Sequence, residues 1–200
     1  KKAPRRRCIS AQESLLHGRS ARRAYYGKCR PRLVAVSQDR QAESKHSLMP
    51  TLPNAHALIV GIANYQHVNP LPPIVLADAA AVRGVLVDPS LGAYPPGNVS
   101  LLLDDAATQQ ALRQALARLA TVDDDATVFL YVSSHGGRLE TGPRAGEYLL
   151  PVDASYSSAD LLAQSSISSE ELTAALAAIP ARRLVVVFDC CHAGGIGQPK

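Results

Sequence analysis

No apolar stretch in this chain approaches the roughly 18 residues that a membrane-crossing helix needs, so a helical membrane anchor is excluded. Cysteine is scarce. Cys8 and Cys29 lie near the amino end, and Cys190 and Cys191 are adjacent. Four residues so placed cannot build a disulfide scaffold. There is no Cys-x-x-Cys spacing, and adjacent cysteines do not easily share one tetrahedral ion. That argues against a zinc site made from His135, Cys190, Cys191 and His192. A secretory signal is also missing, because the amino end is charged and has no apolar core segment. A reducing, cytoplasmic setting is therefore expected. The chain lacks an initial methionine, and its single methionine is Met49. The expectation is that Met49 is the natural start, with residues 1–48 upstream sequence or an expression artefact.

The net charge of +4 averages two unlike parts. Residues 1–48 hold 13 Lys and Arg against 3 Asp and Glu, whereas residues 49–200 hold 8 against 14. The isoelectric point near 9 therefore describes the amino-terminal segment, not the domain, and implies no nucleic-acid partner. Residues 1–48 show no sustained periodicity and read as a disordered basic tail in preference to a targeting or nucleic-acid arm. Residues 49–200 read as one folded domain, and an apolar share of 46% over the chain supplies a core.

Strands and helices alternate along that domain. Residues 57–62 form an apolar first strand, followed by a loop with three prolines. A helix over 77–87 places Val82, Val85 and Leu86 on one side, and 99–103 is a second strand. Thr108 caps a helix running to about Ala120, with Leu112, Leu116 and Leu119 at i, i+4 and i+7. Asp123-Asp124-Asp125 reads as a solvated turn, since the alternating oxygen pattern of a calcium loop is missing. Residues 127–132 form a third strand that delivers Ser133-Ser134-His135-Gly136-Gly137. Residues 138–153 suggest a hairpin turning near Gly142-Pro143, with 147–152 as its return. Ser168 and Glu171 form a capping box for a helix through Leu172, Leu176 and Ile179, which Pro180 ends. The alternation implies an α/β fold with a mostly parallel sheet.

The chain is organised around its last strand. Leu184-Val185-Val186-Val187-Phe188 is an unbroken apolar run, as expected of a strand buried on both faces. It ends in Asp189-Cys190-Cys191-His192-Ala193-Gly194-Gly195. A strand that delivers a thiol to its carboxyl end and then turns on glycine sets a nucleophile in the crevice of an α/β sheet. His135, which also follows an apolar run, is the natural base. The N–H groups of Gly136 and Cys191 are natural donors to the oxyanion of an acyl intermediate. Paired cysteines at a strand end can also be simple core residues. His135 lies 56 residues before Cys191, close to the roughly 50 that separate the two in caspases.

Tyr131-Val132-Ser133-Ser134-His135-Gly136 resembles the histidine motif of the caspase family. Asp189-Cys190-Cys191-His192-Ala193-Gly194 resembles the Asp-x-Cys-His-Ser-Gly motif of metacaspases and bacterial caspase-like peptidases, with Ala193 where serine is usual. Ala77-Asp78-Ala79 and Tyr148-Leu149-Leu150-Pro151-Val152-Asp153 fit as well, so that the resemblance spans about residues 55–197. It implies a three-layer α/β/α caspase-like fold and a cysteine endopeptidase acting on polypeptides. It makes Cys191 the nucleophile, His135 the base and Cys190 the variable residue between Asp189 and the nucleophile. Caspases that cut after aspartate need arginines, and the loop from Tyr65 to Ala77 contains none. By resemblance, Asp78 and Asp189 line the pocket for the residue before the cut, favouring Arg or Lys. The other reading of Asp78 is a helix N-terminal residue that complements the macrodipole. No cofactor is implied; calcium activation is common among metacaspases, but no ligand set is evident here. The chain ends nine residues after Cys191, so the expectation is a domain truncated after its catalytic strand, with further carboxyl-terminal strands needed to complete it. The alternative to an enzyme is an inactive caspase-like interaction module.

Overall fold

The structure, a computed structural model, describes residues 52–190. The basic segment 1–48, Cys191, His192 and the glycines that follow lie outside the described residues. The main sheet contains β1 (Ala55–Gly61), β2 (Val99–Leu103), β3 (Thr127–Ser133) and β7 (Arg183–Asp189). Its order is β2-β1-β3-β7, with every pair parallel. Between β3 and β7 the chain forms a small antiparallel sheet from β4 (Gly136–Leu139), β5 (Gly146–Leu149) and β6 (Ile167–Ser168). Four helices complete the described fold: α1 (Ile74–Val87), α2 (Gln109–Leu119), α3 (Ala159–Ser165) and α4 (Ser169–Ala177).

The strand period of two sorts the side chains into layers. Leu58, Val60, Val128, Leu130 and Val132 pack against Leu112 and Leu116 of α2 and Leu172 and Leu176 of α4. Ala57, Ile59 and Tyr131 meet Ala79, Val82 and Leu86 of α1 on the opposite face. The result is the expected three-layer α/β/α arrangement around a mostly parallel sheet. α1 can approach β1 closely because Gly61 carries no side chain. A Cβ there would lie 2.8 Å from the Ala79 Cβ and 3.2 Å from the Val75 carbonyl oxygen.

Local signals behave largely as the sequence suggests. The Thr108 hydroxyl accepts the Ala111 N–H at 3.2 Å, and Leu112, Leu116 and Leu119 are buried. Ser168 accepts the Glu171 N–H at 3.1 Å. The Glu171 carboxylate does not complete the box; it takes Arg113 of α2 at 2.6 and 3.0 Å and so links the two helices. α1 begins three residues before its expected start, directly after Pro73, whose backbone is already helical (φ −59°, ψ −16°). Its buried stripe runs through Val75, Ala79, Val82 and Leu86, while Val85 is exposed. α3 and β6 form without having been expected. α3 has its own cap, the Ser158 side chain accepting from Leu161 N–H, and buries Leu162.

One expectation is overturned. β7 is not buried on both faces. Leu184, Val186 and Phe188 pack on the α2/α4 core, but Val185 and Val187 are 48% and 38% exposed. α1 lies against β1, β2 and β3, and β7 is the edge strand of the described sheet. None of the described helices is long and apolar enough to cross a membrane.

Candidate active site

The site lies where the parallel strands end together. Gly61 pairs with Leu103 on one side and Ser133 on the other, and Ser133 pairs with Asp189. β3 and β7 are thus neighbours, and the chain leaves them side by side as Ser134-His135 and Cys190. The Ser134 N–H donates to the Asp189 carbonyl at 3.4 Å, continuing the ladder one residue beyond the strand.

His135 is half-buried, and its ring is held on two sides. Nε2 lies 2.9 Å from the Asn69 carbonyl oxygen. A carbonyl can only accept, so Nε2 carries a proton, and in the neutral ring Nδ1 is then the basic nitrogen. The Tyr65 ring packs against the imidazole with centroids 5.0 Å apart and planes tilted by 44°. The Tyr65 hydroxyl accepts the His135 backbone N–H at 2.7 Å. Burial pushes the Tyr65 phenol up to about 12, although hydrogen bonds with His135 and Ser134 work the other way, so it stays neutral.

Tyr65 and Asn69 belong to the loop leaving β1, and a carboxylate from the next strand holds that loop. Asp104 Oδ1 accepts the N–H groups of Ala63 and Asn64 at 2.7 and 2.9 Å, and Oδ2 accepts the Asn64 side-chain amide at 2.7 Å. Burial would raise the Asp104 pKa, but the Asn64 backbone and side-chain bonds and the Ala63 bond outweigh it and lower it. None of these three partners stands out in the sequence. Asn69 acts through a backbone carbonyl, which carries no residue signature. For Asp104 and Tyr65 the only signal is a polar group placed just after an apolar strand.

Gly136 opens β4 opposite Leu149. The Leu150 N–H donates to the His135 carbonyl at 3.1 Å, which makes Gly136 and Leu149 a non-hydrogen-bonded pair. The Gly136 N–H is therefore directed away from β5 and outside the ladder. Asp189 is exposed and accepts the Ser133 hydroxyl at 3.1 Å. Asp78 is exposed on α1. Burial raises the Tyr131 pKa, and the charges of Asp189 and Asp78 both add to the rise, while a bond with Ser133 opposes it. The two carboxylates, distant in sequence, thus act on one phenol at the end of β3. Asp78 does not serve the α1 macrodipole as a first-turn residue, because the helix starts at Ile74 and its first turn holds no acidic residue. Cys190 is half-buried and packs on the core beneath β7. Among the described residues no group of three or more His, Cys, Asp or Glu side chains converges to hold a metal ion. The acidic turn is no exception; Asp125 accepts the Asn54 side-chain amide.

Comparisons with known proteins bear on the fold and on the family. A protein from Geobacter sulfurreducens, solved by crystallography in a structural genomics programme, matches with a TM-score of 0.55 and 21% sequence identity. The match covers 71% of this chain and 52% of that one, so this chain spans about half the length of that protein. At that identity the likeness speaks for the fold alone. A comparison with curated proteins gives no match. The family model described as the caspase domain matches residues 54–200, which take in both the His135 and the Cys191 motifs, and the chain belongs to that family.

Proposed function

We propose that this protein is a cysteine endopeptidase that cleaves polypeptides after basic residues through a Cys191–His135 dyad. The observation that carries the reading is the pairing of β3 with β7, which sets His135 and Cys190, the residue before Cys191 in the sequence, at adjacent strand ends. His135 Nδ1, left as the basic nitrogen by the Nε2–H bond to Asn69, takes the proton from Cys191 Sγ. The thiolate attacks the scissile carbonyl carbon, and the N–H groups of Gly136 and Cys191 receive the developing oxyanion. His135 then protonates the leaving amine, and water hydrolyses the thioester with His135 again as base. Cys190 is a packing residue beside the nucleophile. The place of β7 at the edge of the described sheet and the exposed Val185 and Val187 fit a sheet that continues with further strands.

Specificity follows from charge. Asp78 and Asp189 both add to the raised pKa of the Tyr131 phenol, and by resemblance the two line the pocket for the residue before the cut. Two carboxylates there favour a guanidinium or ammonium and reject an acidic side chain. Arg is preferred over Lys for its planar fork. The test is a peptide series differing only at the residue before the scissile bond. Arg should be cleaved fastest, and Asp189→Ala should erase most of that preference. Faster cleavage after Asp than after Arg, or an unchanged preference in Asp189→Ala, would refute the pocket.

A further inference from the structure

The groups that hold the base in place come from the loop leaving β1. Residues 63–71 leave β1 and return, closed by the Leu71 N–H to the Ala63 carbonyl at 2.8 Å. Asp104 fixes the start of this loop through three hydrogen bonds. It does so from a backbone with φ +41°, a conformation unfavourable for a residue with a side chain. The Gln66 N–H, bonded to the Val152 carbonyl at 3.0 Å, pins the loop again just past Tyr65.

Tyr65 occupies an unusual place between these anchors. β4 and β5 form an antiparallel ladder, and the Leu150 N–H reaches the His135 carbonyl at 3.1 Å. Regular pairing would return a bond from the His135 N–H to the Leu150 carbonyl. The Tyr65 hydroxyl stands in that gap. It accepts the His135 N–H at 2.7 Å and donates onward to the Leu150 carbonyl at a long 3.5 Å. Its ring meanwhile covers one side of the imidazole. A neutral phenol can accept and donate in this way, and burial keeps it neutral.

We propose that Tyr65 is the positioning residue for His135 and that Asp104, through Ala63 and Asn64, seats Tyr65 and the Asn69 carbonyl together. The inference rests on His135 acting as the base. One loop then sets the base at two points: the backbone N–H through the Tyr65 hydroxyl, and Nε2 through the Asn69 carbonyl. Losing the hydroxyl leaves a backbone N–H without its acceptor and frees the ladder to close over the gap. The His135 backbone then shifts against the Asn69 carbonyl, so the imidazole loses its fixed orientation and its single tautomer.

The test combines kinetics with long-range proton–nitrogen NMR of His135 in the full-length protein. Tyr65→Phe should lower kcat by about tenfold or more. KM should stay within about twofold, because substrate binding is not touched. The NMR spectra should pass from a single Nε2–H tautomer to a mixture. Asp104→Asn should act in the same direction, since a neutral amide oxygen holds the Ala63 and Asn64 N–H groups more weakly than a carboxylate does. Wild-type kcat with an unchanged tautomer in Tyr65→Phe would overturn the proposal. Should Tyr65→Phe not fold, the same result in Asp104→Asn would overturn it. Undiminished turnover in His135→Ala would instead remove the dyad. The tautomer readout does not depend on turnover, so the two failures are distinguishable.

Discussion

Gly61 offers a perturbation whose size can be worked from the structure. Gly61→Ala places a Cβ 2.8 Å from the Ala79 Cβ, 3.1 Å from a Leu103 methyl and 3.2 Å from the Val75 carbonyl oxygen. Carbon atoms pack best at about 3.5–4.0 Å, so the nearest contact is short by about 0.7 Å or more. The Leu103 methyl can rotate away. Ala79 and the Val75 carbonyl cannot, because both are fixed to the α1 backbone. Relief therefore requires α1 to move outward from β1, thinning a layer that holds Ile59, Ala79 and Tyr131. Overpacking of this kind costs about 1–3 kcal/mol. For a domain of this size that lowers the melting temperature by about 3–9 °C. The assay is thermal and urea unfolding of Gly61→Ala, Ala79→Gly and the double variant. Ala79→Gly alone costs about 1 kcal/mol through helix propensity. The double variant removes the worst contact and should be more stable than the sum of the singles by about 1 kcal/mol. The Val75 contact remains, so recovery is partial. α1 also carries Asp78, so the same shift should lower kcat/KM for peptides with Arg before the cut. A Gly61→Ala protein melting within about 1 °C of wild type, or singles that simply add, would refute the close-packing argument.

The two cysteines should separate cleanly. Cys191→Ala should abolish turnover and labelling by an active-site thiol probe, whereas Cys190→Ala should keep most turnover and lose about 1 kcal/mol of stability through lost packing; the opposite pattern would reverse their roles. The Asp104 carboxyl sits below its ordinary value in the folded protein. Its contribution to stability is therefore fully present above the unfolded value of about 4 and is lost as pH falls through the lowered folded value. Urea unfolding between about pH 2 and 6 should show a steeper acid decline in wild type than in Asp104→Asn, and equal slopes would refute the clamp.

What the sequence determined by itself is whatever short-range chemistry decides. Thr108 and Ser168 cap their helices because a side-chain oxygen reaches an N–H three residues on. Leu112, Leu116 and Leu119 are buried because the helical period alone sets their face. The apolar runs before His135 and Asp189 read as strands because their length and composition suit a buried parallel sheet. What the sequence could not determine depends on what is packed where. Val185 and Val187 have the composition of a doubly buried strand, yet their exposure follows from α1 lying over β1, β2 and β3. Glu171 has the spacing of a capping box, but Arg113, 58 residues away, offers its carboxylate a stronger charged partner. The setting of His135 was the least legible part. Asn69 holds it through a carbonyl that any residue would supply. Tyr65 reaches it across 70 residues, and Asp104 grips Asn64 across 40. Such pairings arise only when β1, β2 and β3 come into register and end together, because a hydrogen bond about 3 Å long depends on where the backbone runs and not on residue identity alone.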